Sequence, residues 1–173
     1  MQFRRAGTAD VEAIVSLVES AYRGEVSRAG WTTEADLLDG QRTDVAEVRA
    51  LVADPRCQIL LAHDEDGLVG SVLLRDEESG AHIGMFAVRP TAQRNGIGRA
   101  LLAEAERIAR DELKRKTARM TVLAQRPELL AWYGRRGYHR SDQREPFPYG
   151  DSRSGLPRRD DLVFEVLVKT LGD

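Results

Sequence analysis

Apolar positions along this chain alternate between two spacings, and the changes of spacing mark its elements. Phe3 to Arg5 is a short strand. Thr8 or Asp10 then caps a helix with Val11, Ile14, Val15, Val18 and Tyr22 on one stripe. Gly24 to Gly40 has no clear period. Asp44 caps a second short helix through Val45, Val48, Leu51 and Val52, stopped by Asp54-Pro55. Cys57 to His63 and Leu68 to Arg75 are β-like runs, and Asp64-Glu65-Asp66-Gly67 between them predicts a hairpin turn. A strand over Ala81 to Arg89 precedes a glycine-containing loop and a helix to about Leu113, with Ile97, Leu101, Leu102, Ala105, Ile108 and Ala109 on its apolar face. Thr117 to Ala124 is a strand, Pro127 to Arg136 a helix and Asp161 to Thr170 a closing strand. Arg144 to Asp160 is expected to be a long loop, of the kind that is functional or mobile. The pattern predicts an α+β fold in one domain over residues 1–173, with no internal repeat and no composition break.

The junction between the Ala81–Arg89 strand and the following helix carries the chemistry. It reads Gln93-Arg94-Asn95-Gly96-Ile97-Gly98-Arg99. A helix N-terminus presents unpaired N–H groups and the positive end of the macrodipole, so it favours phosphate. Gly96 and Gly98 let an anion approach the backbone without meeting a Cβ. A dinucleotide fingerprint fails, because Leu101 stands where its third glycine belongs. A nucleotide P-loop fails as well, because Arg99-Ala100 replaces Lys-Ser/Thr.

The segment Gln93-x-x-Gly96-x-Gly98 resembles the signature loop of the GNAT superfamily, the acyl-CoA-dependent N-acyltransferases. Leu129-Leu130-Ala131-Trp132-Tyr133-Gly134-Arg135-Arg136-Gly137-Tyr138 is similar to the second signature of that family, in the expected order and separation. The resemblance implies a mixed, mostly antiparallel central sheet flanked by helices, with a splayed strand pair that admits acyl-CoA. It implies acetyl-CoA as acyl donor, its pyrophosphate held by Gln93, Arg94, Asn95, Gly96, Ile97, Gly98 and Arg99. The pantetheine arm then pairs with the backbone of Phe86, Ala87 and Val88, where an N–H is expected to polarise the thioester oxygen. Tyr133 stands at the family's usual general acid. His82 stands where several members place a base, and its ordinary pKa of about 6.5 suits that role; Glu77, Glu78 and a water chain remain alternatives.

For the acceptor, the acid-rich stretch with Trp31 and Glu34 suits a cationic amine, whereas the loop with Tyr149, Arg153, Arg158 and Arg159 suits a carboxylate or the coenzyme's 3′-phosphate. Composition then narrows the partners. In 173 residues, 26 Lys and Arg against 28 Asp and Glu give a net charge of −2, which argues against a nucleic-acid or membrane binder. The absence of a long apolar run and of a signal-peptide core, with a single cysteine, points to a cytoplasmic protein without disulfides. His63, His82, His139 and Cys57 make no metal-ligand spacing, so no metal is expected. The expected activity is transfer of an acetyl group to a primary amine of a small molecule by direct attack in a ternary complex, with a homodimer left open. Acetylation of a protein lysine or N-terminus and a catalytically silent acyl-CoA sensor are the competing readings.

Overall fold

A computed structural model describes residues 1–93 and 95–172 of the chain. Its centre is a seven-stranded sheet of β1 (Gln2–Arg5), β3 (Cys57–Asp64), β4 (Gly67–Glu77), β5 (Gly80–Val88), β6 (Thr117–Leu123), β9 (Val163–Thr170) and β7 (His139–Pro146), in that spatial order. All neighbours are antiparallel except β5 and β6. A separate two-stranded ribbon pairs β2 (Leu38–Asp39) with β8 (Leu156–Pro157).

Helices cover both faces of the sheet, which is why β4 buries six consecutive residues, Val69 to Leu74, instead of alternating. On one face lie α1 (Val11–Tyr22) and α3 (Val45–Ala53), whose Ile14, Val18 and Val48 pack with Leu61, Leu73 and Met85. The Asp44 carboxylate accepts the Glu47 N–H at 2.8 Å and so caps α3 as the sequence predicts. On the other face lie α4 (Ile97–Arg107) and α5 (Pro127–Gly134), joined to the sheet through Leu101, Leu102, Leu130 and Tyr133. The whole predicted stripe of α4 is buried, and a π-helical turn at Ile108–Glu112 carries it to the end of the element. The short α2 (Gly24–Ser27) follows α1.

Two features of β5 shape the site. Against β4, Ser71 pairs with Ala87 and Leu73 with Gly84, so two residues of β5 oppose Val72 alone. Met85 takes φ of +44° at this bulge. Against β6, the ladder holds only at Ala81–Ala118 and His82–Arg119. Beyond His82 the strands separate, and a wedge opens in the middle of the sheet.

The stretch from Arg144 to Asp160 departs from the expected loop. Its start belongs to β7, an edge strand of sequence HRSDQREP with no apolar alternation to betray it. The rest contains a 3-10 turn at Ser152–Ser154 and β8, and Phe147 is buried with Leu37, Leu38, Leu123 and Leu162. It is therefore anchored at both ends.

Candidate active site

Two cavities open at the wedge. One, of about 420 Å³, lies between the end of β5, the N-terminus of α4 and α5; Val88, Gly96, Gly98, Arg99 and Trp132 line it. The other, of about 540 Å³, reaches Leu38 of β2 and includes His82, Gly84, Arg42 and Phe147. Tyr22, Phe86, Arg126, Leu129 and Tyr133 line both. The two chambers meet at Tyr133.

The smaller chamber is built for an anion at its mouth. Gly96 precedes the first turn of α4 with φ of +77°, a left-handed conformation that favours glycine, and nothing lies within 4 Å of where its Cβ would be. Gly98 would bring a Cβ into ordinary contact with Trp132, Val88 and Phe86. Arg99, Arg135 and Arg136 line the chamber, and among the described residues none has a carboxylate within ion-pair distance. Burial, then Arg135 and Arg99, lower the pKa of Arg136. Its guanidinium stacks 3.5 Å from the Trp132 ring centroid and donates from Nη1 to the Trp132 carbonyl at 2.7 Å. Three cations held together without counter-charge make a basin of positive potential.

The residues predicted for coenzyme binding fall into two groups. Phe86, Val88, Gln93, Gly96, Gly98 and Arg99 line this chamber. Ala87 and Ile97 point into the core, so only their backbone could serve a ligand, and Asn95 is exposed outside the chamber lining. Arg94 lies outside the described residues. The Gln93 side chain also works as a tie. Its Oε1 accepts the Trp31 N–H at 2.9 Å and its Nε2 donates to the Val88 carbonyl at 3.1 Å, which fastens the chain near Trp31 to the end of β5.

A half-buried Tyr22 and a buried Tyr133 flank the junction, and their hydroxyls differ. The Tyr22 hydroxyl donates to the Phe86 carbonyl at 2.9 Å, pinning the bulge. The Tyr133 hydroxyl has no hydrogen-bond partner among the described residues, although its ring is boxed in by Trp132, Tyr138 and Phe86 with centroids 4.9, 5.7 and 6.5 Å away. Burial pushes the Tyr133 phenol well above its ordinary pKa, with Tyr22 adding to the rise. At neutral pH the hydroxyl carries its proton, and Tyr133 lines both chambers where they meet.

His82 lines the larger chamber from β5. Gly84 leaves room for it, since a Cβ there would sit 3.1 Å from His82 Nε2. The imidazole Nδ1 is buried without a partner among the described residues. Burial lowers the His82 pKa; Glu77 opposes that shift, while Arg119 and Arg75 reinforce it. The ring is therefore neutral near pH 7, with a lone pair to accept a proton. Neither Glu77 nor Glu78 lines either chamber.

The residues predicted for the acceptor scatter. Trp31 lies in the smaller chamber, its ring 6.4 Å from that of Trp132. Tyr149 lines neither chamber: its hydroxyl donates to the Arg159 carbonyl at 3.1 Å and accepts the Leu162 N–H at 2.8 Å, so it braces the loop. Glu34 does reach the larger chamber, but its carboxylate is taken on both sides. Arg23 Nη1 donates to Oε2 at 2.5 Å and Arg126 Nη1 to Oε1 at 2.9 Å. Burial alone would raise the Glu34 carboxyl, but Arg126, Arg23 and Arg42 outweigh it and hold the pKa below the ordinary value. Sequence reasoning missed Tyr22, Arg23, Arg42 and Arg126. Tyr22 sits on a core stripe, and the arginines come from three separate segments with no local pattern to join them.

A mostly antiparallel sheet with one splayed parallel pair, a glycine-led helix start at the mouth of the wedge and a tyrosine at its floor fit an acyltransferase. Residues 34–147 match the acetyltransferase (GNAT) domain family, and the chain belongs to it. It is an acyltransferase enzyme. Solved structures agree on the fold. The protein smu.2055 from Streptococcus mutans UA159 superposes with a TM-score of 0.73 at 17% identity, over 99% of this chain and 100% of that one. The ribosomal-protein-S18-alanine N-acetyltransferase from Escherichia coli gives 0.71 at 15% identity, over 99% and 94%. A putative phosphinothricin N-acetyltransferase gives 0.72 at 16%, over 99% of each chain. No curated protein sequence matches the chain. Among the described residues no helix is long and apolar enough to cross a membrane, and no cluster of His, Cys, Asp and Glu could hold a metal ion.

Proposed function

We propose that this enzyme transfers an acetyl group from acetyl-CoA to a primary amine of a small molecule, by direct attack while both are bound, within a single domain spanning residues 1–173. The observation that carries this reading is the meeting of the two chambers at Tyr133, beside the bulge where β5 has lost β6 as a partner. The coenzyme belongs in the smaller chamber, its diphosphate at the α4 N-terminus and its phosphates within reach of Arg99, Arg135 and Arg136. The pantetheine arm follows the free edge of β5 at Phe86 to Val88, and the thioester ends at the junction.

In the larger chamber neutral His82 takes a proton from the incoming ammonium, directly or through water. The freed nitrogen attacks the thioester carbon, and a backbone N–H of the bulge supports the oxyanion. As the C–S bond breaks, the Tyr133 hydroxyl gives its proton to the departing thiolate and recovers one from the attacking nitrogen, which sheds its second proton to become the amide. Leu38 of the ribbon and Phe147 line the larger chamber, and a pocket walled in this way supports a small acceptor. Solved relatives of this fold bear names on both sides, a spermidine N-acetyltransferase SpeG variant from Vibrio cholerae and the ribosomal-protein enzyme among them.

Thiol release from acetyl-CoA across an amine panel tests the assignment. Tyr133→Phe keeps the boxed ring and removes only the hydroxyl. It is expected to lower kcat by roughly 10²–10⁴-fold while the Kd of acetyl-CoA, measured by calorimetry, stays within about 3-fold. An unchanged kcat would remove Tyr133 from the mechanism. The base has its own signature. Because the His82 pKa is lowered, kcat/KM should hold as pH drops to about 6.5, the ordinary histidine value, and decline only as pH falls further, through the depressed value. In His82→Gln that acidic limb should vanish together with most of the rate.

A further inference from the structure

The larger chamber is unbalanced in charge, and the imbalance has a direction. Four carboxylates line it, and each is already engaged. Glu34 is held by Arg23 and Arg126. Asp44 caps α3 and accepts from Gln41 Nε2 at 3.2 Å. Glu47 accepts from the Thr43 hydroxyl at 2.6 Å, and Asp151 pairs with Arg153 at 2.9 Å. The arginines are not matched in the same way. The Arg42 guanidinium lies 5.1 Å from the Tyr22 ring centroid and, among the described residues, has no carboxylate partner. Among those residues the Arg75 side chain donates only to the Cys57 sulfur, at 3.4 Å. Arg23 and Arg126 share Glu34, with Glu128 3.9 Å from Arg126 Nε, and Arg23 Nε and Nη2 are buried without hydrogen-bond partners among the described residues. The interior of a chamber walled by protein magnifies such an excess.

We propose that the acceptor is an amine that also bears a carboxylate, an amino acid in the broad sense, and that Arg42 is the specificity-determining residue that receives the carboxylate. The proposal rests on the acetyl-transfer reading above and names the acceptor class for it. Arg42 sits over the Tyr22 ring, and the hydroxyl at the far end of that ring is bonded to Phe86 at the junction. A carboxylate on Arg42 therefore leaves the amine of a compact molecule directed along Tyr22 toward the thioester. The planar, permanently charged guanidinium matches a carboxylate in two parallel hydrogen bonds. A polyamine would instead bring positive charge to a chamber already lined by five arginines against four carboxylates.

The test compares each proteinogenic amino acid with its carboxamide and its decarboxylated amine, with spermidine as the purely cationic probe. Thiol release is followed in the wild-type enzyme, Arg42→Gln and Arg42→Lys. The carboxylate form of at least one acceptor should exceed its carboxamide in kcat/KM by roughly 30-fold or more, and Arg42→Gln should erase that preference through KM, with the Kd of acetyl-CoA unchanged. Arg42→Lys should restore part of it. Equal or better turnover of carboxamides or spermidine would overturn the proposal and leave acetyl transfer standing, as would no turnover of any carboxylate-bearing amine by an enzyme that binds acetyl-CoA. An enzyme that gives no heat with acetyl-CoA would overturn the underlying reading, and this inference with it.

Discussion

Gly96→Glu should abolish coenzyme binding in a protein that remains folded. Gly96 is exposed at φ of +77°, with open space where a Cβ would stand, so the new side chain meets no clash. Holding a non-glycine residue in that conformation costs about 1–3 kcal/mol. The larger effect is electrostatic. One carboxylate about 5 Å from two diphosphate charges, at an effective dielectric near 20, opposes binding by roughly 6 kcal/mol. That is more than about 10⁴-fold in Kd. Gly96→Lys separates the two contributions, because it carries the same backbone cost with the opposite charge. Calorimetry with acetyl-CoA should then show Gly96→Lys binding within about 10–100-fold of wild type and Gly96→Glu giving no measurable heat. Unaltered affinity in Gly96→Glu would place the diphosphate elsewhere.

The second large effect falls on stability. Glu34→Ala leaves Arg23 and Arg126 facing each other, 7% and 6% exposed, with nothing between them. Removing one member of a buried ion cluster typically costs about 3–5 kcal/mol, mostly from the charge left behind. A comparable loss should appear in the urea midpoint of Glu34→Ala at neutral pH. Glu34→Gln, which keeps hydrogen-bonding atoms, should lose less. The pH dependence has a definite sign. The folded pKa of Glu34 is depressed, so its contribution is in full force above the unfolded value of about 4.3 and is lost as pH falls through the folded value. Below that range wild type and Glu34→Gln should converge. A midpoint for Glu34→Ala equal to that of wild type would mean that the cluster contributes nothing to the fold.

These two residues also show how far the sequence could be read. Gly96 is legible because its role is local. A strand, a turn with a glycine at the helix start and a stripe of Ile97, Leu101 and Leu102 lie next to one another in the chain, and each constrains the next. Tyr133 is legible for the same reason, within the short α5 and its flanks. Glu34 is visible only as one acid in an acid-rich stretch, because its partners lie 11 and 92 positions away. A period in the sequence cannot encode such a meeting. Strand β7 escapes for a different reason. It pairs on one side only and is polar on both faces, so backbone pairing with β9 holds it and no apolar rhythm marks it. Gln93 belongs by sequence to the phosphate loop, yet its side chain fastens a remote segment that holds Trp31.

The two chambers draw on different stretches of polypeptide, and this bears on how such an enzyme can diversify. The half that would grip the donor comes mainly from residues between 86 and 136, a nearly continuous piece of chain. The other half borrows its walls from around 34–51 and 147–164, segments tied to each other by one short ribbon. Changes in those outlying stretches can remould the pocket while the donor half keeps its shape. Descendants of one ancestor could therefore exchange acceptors freely and go on consuming the same activated acyl group.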